Sequence, residues 1–289
     1  DLINEEELIK KLEKSLSSKT PLKLKIGLDP TASDIHLGHT VILRKLRRLQ
    51  DLGHIVYFII GDFTAKIGDP SGRNIARKIL SDEEIRYNAS TYTNQAFKIL
   101  DKSKTEIIYN SIWYKDMKLD NFLSILSYYT VARVLERDDF SKRMKEKLPL
   151  TILEIIYPLI QGYDSVKINA DIEFGGTDQK FNLIVGRHLQ EAFGQEPQVI
   201  VTMPLLVGLD GKEKMSKSKN NYIGITEEPH NMFGKIMSIS DDLMFEYFRL
   251  LTDFDVSEIK KMHPKDAKLL LAETLVSFYY SEEIAKEAR

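Results

Sequence analysis

His36 and His39 stand three residues apart in HLGH, directly before a run with helical spacing. A helix N-terminus has unpaired N–H groups and a positive dipole end, so it suits phosphate. Two histidines at i and i+3 can both face that position, and Gly38 between them leaves room for a flat group such as a purine. The same text fits two histidines bonded to local backbone. A metal is the weakest reading, because no third ligand is near. Far along the chain, DGKEKMSKSKNNY (Asp210 to Tyr222) has four lysines between Lys212 and Lys219, with Met215 the one apolar residue among them. It follows no helix or strand period. It reads either as a solvated loop or as a flexible arm. As an arm, Lys214 and Lys217 would close over a polyphosphate while charge develops on it.

Two further stretches could bind something small. In YPLIQGYD, helical geometry puts Tyr157, Gln161 and Asp164 at roughly 0°, 40° and −20° around the axis. They share one narrow stripe, which is either a polar outer face or, since it runs back to Leu153 and Leu150, an inward one. Buried polar groups need partners, and a substrate can supply them. In FGGTDQ (Phe174 to Gln179), two glycines let backbone approach a ligand. A tight strand-to-helix turn capped by Thr177 or Asp178 fits equally well.

These residues need a scaffold, and the chain spells one. LKLKIGL (Leu22 to Leu28) alternates as a strand. TVILRKLRRLQDLG has helical spacing with Gly53 as its stop, and HIVYFIIG is a buried strand. That order is a βαβ unit and predicts a parallel sheet. The turn-rich loops DPTASDIHLGH and DFTAKIGDPSGRN both follow the carboxyl ends of strands, where open α/β sheets bind ligands. TEIIYN, DIEFGG and QVIVTM read as further strands. Helical text fills 81–102, about 111–167, and nearly all of 227–289. The last segment carries 8 basic and 13 acidic residues, so it is a poor tracker of phosphates.

The chain has 289 residues, 43% of them hydrophobic, and a net charge of −2, so no global field draws it to nucleic acid or membrane. Any nucleic-acid contact must come from local patches. It has no cysteine, which excludes disulfides and thiolate metal sites. No apolar run approaches the roughly 18 residues of a membrane span. The closing SEEIAKEAR is helical text without a stop signal, so a further C-terminal part is expected.

Taken together, HLGH after the first strand and KMSKS (Lys214 to Ser218) after the last resemble the two signatures of the class I aminoacyl-tRNA synthetases. GLDPTASDIHLGH, IGDFTAKIGDPSGR and GGTDQKFN extend the resemblance over essentially the whole chain, and it is nearest to the bacterial branch that activates tyrosine. The resemblance implies an α/β fold with a Rossmann-like catalytic domain over 1–225. That domain would hold a helical insertion at about 111–167 and a signature loop at 210–222. A smaller α-helical domain over 226–289 would follow. It implies ATP, accompanied by Mg²⁺, as substrate, with L-tyrosine and tRNA(Tyr). It also implies a homodimer and a cytoplasmic location, with no metal held by the protein. ATP would meet Gly27, Asp29, His36, Gly38, His39, Gly176, Asp178, Lys214, Lys217 and Ser218, with Thr31, the histidines and the two lysines acting on its phosphates. Tyrosine would meet Asp69, Tyr157 and Gln161 at its ammonium and Asp164 at its phenol, with Gln179 lying against it. Many members carry a tyrosine on the first strand that also touches the phenol; this chain has Lys25 there. A tryptophan-activating enzyme shares both signatures, and Asp164 also suits an indole N–H. An inactive RNA-binding relative would be expected to lose the histidines or the loop lysines, and both sets are kept. RVLERDDFSKRMKEK (Arg133 to Lys147), with six basic and four acidic residues, reads as a solvated helix, a mobile loop or an RNA contact. Members carry a small C-terminal RNA-binding domain, so weak tRNA charging with intact adenylate formation is expected of this chain.

Overall fold

Short runs of β-branched and aromatic residues form the strands. In the computed structural model, which describes residues 1–71 and 80–289, these are β1 (Leu2–Ile3), β2 (Lys23–Leu28), β3 (Ile55–Ile60), β4 (Thr105–Tyr109), β5 (Ile172–Gly176) and β6 (Val199–Met203). Gly72 and Arg73, the end of the IGDFTAKIGDPSGR loop, lie outside the described residues. The strands make one sheet in the order β1-β6-β5-β2-β3-β4. Neighbours pair in parallel, as the βαβ order predicts, except β1, which runs antiparallel along β6. A two-residue strand is too short to show a period in the sequence.

The chain winds from β2 outward through β3 to β4, then returns to the other side of β2 to lay down β5. The order reverses between β2 and β5, which is where a parallel sheet leaves a crevice at its carboxyl ends. Strand β2 lies mid-sheet, with Leu24, Lys25 and Ile26 all buried. The alternation in LKLKIGL reveals a strand but not its depth.

The helices are α1 (Glu5–Ser18), α2 (Leu37–Asp51), α3 (Asp82–Ala96), α4 (Ser111–Tyr114), α5 (Leu119–Ser127), α6 (Val131–Val134), α7 (Asp138–Lys145), α8 (Ile152–Ile168), α9 (Lys180–Ala192), α10 (Pro229–Ser238), α11 (Asp241–Leu251), α12 (Val256–Ile259), α13 (Pro264–Tyr279) and α14 (Glu282–Glu287). Helix α2 stops just before Gly53, whose φ of 99° suits glycine. Helix α8 carries Tyr157, Gln161 and Asp164, and its start is firmly set. Thr151 and Glu154 form a reciprocal capping box, and the buried Arg143 donates to Glu154 at 2.7 Å and to the Pro149 carbonyl. None of the described helices is long and apolar enough to cross a membrane.

By their contacts the residues fall into two compact units. One comprises 1–33, 46–90 and 101–203; the other comprises 34–45, 91–100 and 204–289. This differs from the expected boundary at 225/226. Both HLGH and the lysine-rich loop belong to the helical unit, while the whole sheet belongs to the first.

Within the first unit, α8 and α9 approach backbone to backbone. A Cβ on Gly162 would lie 2.9 Å from the Gly186 nitrogen and 3.0 Å from its Cα. Helix propensity alone would make Gly162→Ala stabilising by about 1 kcal/mol. Overpacking against backbone costs about 1–3 kcal/mol, and backbone cannot rotate aside. The expected net effect is destabilisation, read as a lower urea midpoint; a raised midpoint would show that the two helices are not in this contact.

Candidate active site

The stripe on α8 faces inward at Tyr157, Gln161 and Asp164, but not at Leu153, which was read with it and is exposed. Asp164 is buried, and the Trp113 indole N–H donates to its Oδ1 at 2.9 Å. Asn110 donates to Oδ2 at 3.2 Å. The Tyr114 hydroxyl lies 3.3 Å from Oδ1, but its proton goes to the Ile160 carbonyl at 2.6 Å. A carboxylate offers roughly four acceptor positions, so Asp164 can take a further donor. Burial pushes its pKa up to about 6, against the opposing pull of Lys25 and the bonds from Trp113 and Asn110.

From Asn110 the bonds continue. Its amide also donates to Thr64 Oγ1 at 3.2 Å, Thr64 donates to Asp29 Oδ1 at 2.6 Å, and Tyr157 donates to Asp29 Oδ2 at 2.9 Å. Burial, with Asp29 and Asp69 beside it, holds the Tyr157 hydroxyl well above its usual pKa, so it stays a donor. A second set closes on itself. Gln179 donates to Asp69 Oδ2 at 2.7 Å, and Asn182 donates to both Gln161 and Gln179 at 3.0 Å. Arg137 donates to Asn182 at 3.0 Å and to Ser71 Oγ at 2.8 Å, and Ser71 donates back to Asp69 at 2.7 Å. Asp69, Tyr157, Gln161, Asp164 and Gln179 are thus fixed by one another and by neighbours. Three carboxylates with amide oxygens suit a cationic group together with a hydroxyl or N–H donor.

Lys25, expected beside the substrate side chain, is 0% exposed. Its ammonium meets Glu173 Oε1 at 2.8 Å and donates to Ser165 Oγ at 2.7 Å and to the Gln161 carbonyl at 3.1 Å. The sequence pattern does not single out Glu173, Asn110, Trp113 or Asn182. A signal for Glu173 was present, since a lysine and a glutamate each sit within an apolar strand. Arg137 and Arg143, expected in a solvated or RNA-facing stretch, are both buried.

At the sheet's switch point, Gly27 on β2 is exposed, and a Cβ built on it would meet nothing within 4 Å. An exposed glycine in a central strand leaves backbone open to a ligand. Gly176 ends β5, and Asp178 lies in the 3-10 turn Thr177–Gln179 before α9. The Thr31 N–H bonds to the Asp29 carbonyl at 2.7 Å.

In the helical unit, the His36 N–H donates to His39 Nδ1 at 3.2 Å, and the two rings lie 3.9 Å apart. Burial lowers both pKa values, His39 to about 4, and Lys214 lowers both further. Both rings are therefore neutral near pH 7. Among the described residues, the buried His36 Nδ1 has no partner. Gly38 is needed because His36 folds over it: a Cβ there would lie 3.0 Å from the ring, in the space expected for a purine.

The lysine-rich loop is anchored. Met215 is buried, and its N–H bonds to the Leu206 carbonyl at 2.7 Å. The buried Asn221 side chain accepts from the Ser216 N–H at 2.8 Å and donates to Asp210. Lys217 pairs with Asp34, two residues before HLGH. Ser216 and Ser218 bond through their hydroxyls at 2.9 Å. Lys219 makes only a surface pair with Glu213, at 2.9 Å, as suits a solvated charge.

Residues 17–289 match the family described as tRNA synthetases class I (W and Y). The chain is 56% identical over 293 residues to a tyrosine–tRNA ligase of Aquifex aeolicus, covering all of this chain and 74% of that protein. It is 56% identical over 296 residues to the tyrosine–tRNA ligase of Burkholderia pseudomallei, covering 72% of it. Among solved structures, it resembles an Archaeoglobus fulgidus tyrosyl-tRNA synthetase complexed with L-tyrosine. The TM-score is 0.78 at 24% identity, over 99% of this chain and 95% of that one, a likeness of fold.

Proposed function

The chain belongs to the class I tRNA synthetases of the tryptophan and tyrosine group, and on that premise we propose that it activates L-tyrosine with ATP and charges tRNA(Tyr). The tyrosine carboxylate attacks the α-phosphate of ATP, supplied as its magnesium complex. Tyrosyl-adenylate forms and pyrophosphate leaves. A hydroxyl of the tRNA 3′-terminal adenosine then takes the tyrosyl group and AMP leaves. No covalent enzyme intermediate is needed, so catalysis rests on orientation and on stabilising phosphate charge.

The observation that carries this reading is Asp164, a buried acceptor with capacity for a further donor, on the same helix stripe as Tyr157 and Gln161. The phenol hydroxyl is that donor. Asp69, Tyr157, Gln161 and Gln179 receive the ammonium end. From the first unit, Gly27, Asp29, Thr31, Gly176 and Asp178 are assigned to ATP, with Asp178 at the ribose. From the second, His36 and His39 serve its phosphates as neutral hydrogen-bonding groups, beside Gly38 and Ser218, and Lys214 and Lys217 as cations. Lys217 must exchange Asp34 for phosphate, so its charge is delivered only when ATP is present. We also assign the chain to the cytoplasm.

Tyrosine-dependent ATP–pyrophosphate exchange tests the reading. Removing one preorganised charge-stabilising group costs about 10²–10³ in rate. Lys217→Ala should lose activity on that scale while tyrosine affinity is kept. Exchange at the wild-type rate would remove the loop from the chemistry, and exchange with tryptophan in place of tyrosine would overturn the substrate.

Asp164 accepts the phenol proton best when ionised. With a pKa of about 6, that form prevails above pH 6 and is lost as pH falls through it. kcat/KM for tyrosine should fall below pH 6, and Asp164→Ala should abolish both this limb and the preference over phenylalanine. A variant that still discriminates would take Asp164 out of the specificity role.

Large apolar side chains stand exposed between α4 and α8: Ile112, Leu119, Leu123, Val131, Ile152 and Leu153. A soluble monomer rarely exposes so many in one stretch, which supports a homodimer built on this region. Light scattering should give twice the 33.3 kDa chain mass; a single-chain mass would contradict it.

A further inference from the structure

An ammonium has three donor hydrogens, and those of Lys25 go to Glu173, Ser165 and the Gln161 carbonyl. None is left for a substrate. The partners are equally committed. Ser165 Oγ donates to Glu173 Oε2 at 3.2 Å, and Gln198 donates to the same oxygen. Gly186 keeps the cage closed: a Cβ there would lie 2.9 Å from Gln198 Nε2 and 3.1 Å from Ser165 Oγ. Lys25 and Glu173 are also register partners in the β2–β5 ladder.

Stability alone gives little reason for such a pair, because well-packed apolar residues replace buried ion pairs at no loss or with a gain. Its position gives a better one. The two groups of α8 that Lys25 grips, the Gln161 carbonyl and the Ser165 hydroxyl, bracket the turn that presents the Gln161 side chain and Asp164. On the reading of the site as a tyrosine pocket, we propose that Lys25 and its counter-ion Glu173 are a positioning pair, fixing that turn of α8 and giving Asp164 its cationic neighbour. The charged and titratable groups that act on Asp164 are Lys25 from β2, Glu173 from β5, Tyr114 from α4 and Tyr157 from α8 itself. Burial drives Asp164 toward its neutral form, Lys25 is the leading opposing influence, and Glu173 works weakly with burial.

Trp113 is the single tryptophan of the chain and bonds directly to Asp164, so its emission follows the protonation of that carboxyl. K25M keeps the apolar stem and removes the charge. K25M/E173M removes both charges, so it strands no ion and carries the test if K25M does not fold. In the ligand-free protein, both should raise the pH midpoint of Trp113 emission from about 6. A rise of about one unit corresponds to about a tenfold change in equilibrium. In pyrophosphate exchange, KM for tyrosine should rise about tenfold on the same scale, with KM for ATP and kcat nearly unchanged. A wild-type midpoint and tyrosine KM in both variants would overturn the proposal. So would a loss in K25M that the double variant restores, since a stranded Glu173 would then explain it. If the unaltered protein shows no tyrosine-dependent exchange, the tyrosine reading fails instead, and the Trp113 titration still decides whether Lys25 governs Asp164.

Discussion

The buried pair of Lys25 and Glu173 ties three elements to one another. The two residues face each other across β2 and β5, at 0% and 1% exposure. An isolated buried charge is too costly to tolerate, and stranding one member of such a pair costs about 3–5 kcal/mol. A one-residue slip between β2 and β5 would strand both, so the pair specifies the register at the sheet's switch point. Through Ser165 and the Gln161 carbonyl it also sets where α8 lies on the sheet. Gly162 and Gly186 then let α9 close against α8. Register, helix position and the orientation of the acceptor stripe are therefore one constraint.

The polar groups of the two units differ in kind. The sheet unit gathers acceptors: Asp29, Asp69 and Asp164, each already held by a donor from its own unit. Such a wall attracts cations and hydroxyl protons. The helical unit gathers neutral imidazoles and loop lysines, the set that attracts phosphate. Amino-acid activation needs both preferences in one protein.

Local text made much of this legible. Each strand longer than two residues announced itself by apolar content, and α8 by its polar stripe. What stayed hidden depends on distant residues. The second unit collects 34–45 and 91–100 from far earlier in the chain, and no linker marks them. Arg137 looked solvated because its neighbours are charged. Its guanidinium is buried because Asp139 pairs with it at 2.7 Å, leaving its other donors for Ser71 and Asn182. The lysine loop has no regular period, yet Met215 and Asn221 pin it, through single contacts that periodicity does not register. Lys25 was the sharpest gap. Alternation assigns a side chain to a face of the sheet, and in a sheet buried on both faces neither choice reaches water.

Burial acts on both ends of the chemistry by one rule, disfavouring whichever form is charged. For His36 and His39 the favoured form is the useful one. In the proposed phosphate role, a neutral imidazole donates its N–H to a phosphate oxygen without adding a charge that would hold it too tightly to release, so desolvation needs no correction there. For Asp164, in its proposed role as acceptor of the phenol, the favoured form is the wrong one, because a protonated carboxyl competes with the phenol as a donor. A carboxylate in that position needs a permanent cation nearby that cannot itself bind the ligand. An ammonium with every hydrogen committed to protein meets both conditions. A tyrosine hydroxyl at position 25 could share the phenol bond but could not supply the charge. The lysine therefore suits a pocket in which Asp164 alone accepts the phenol.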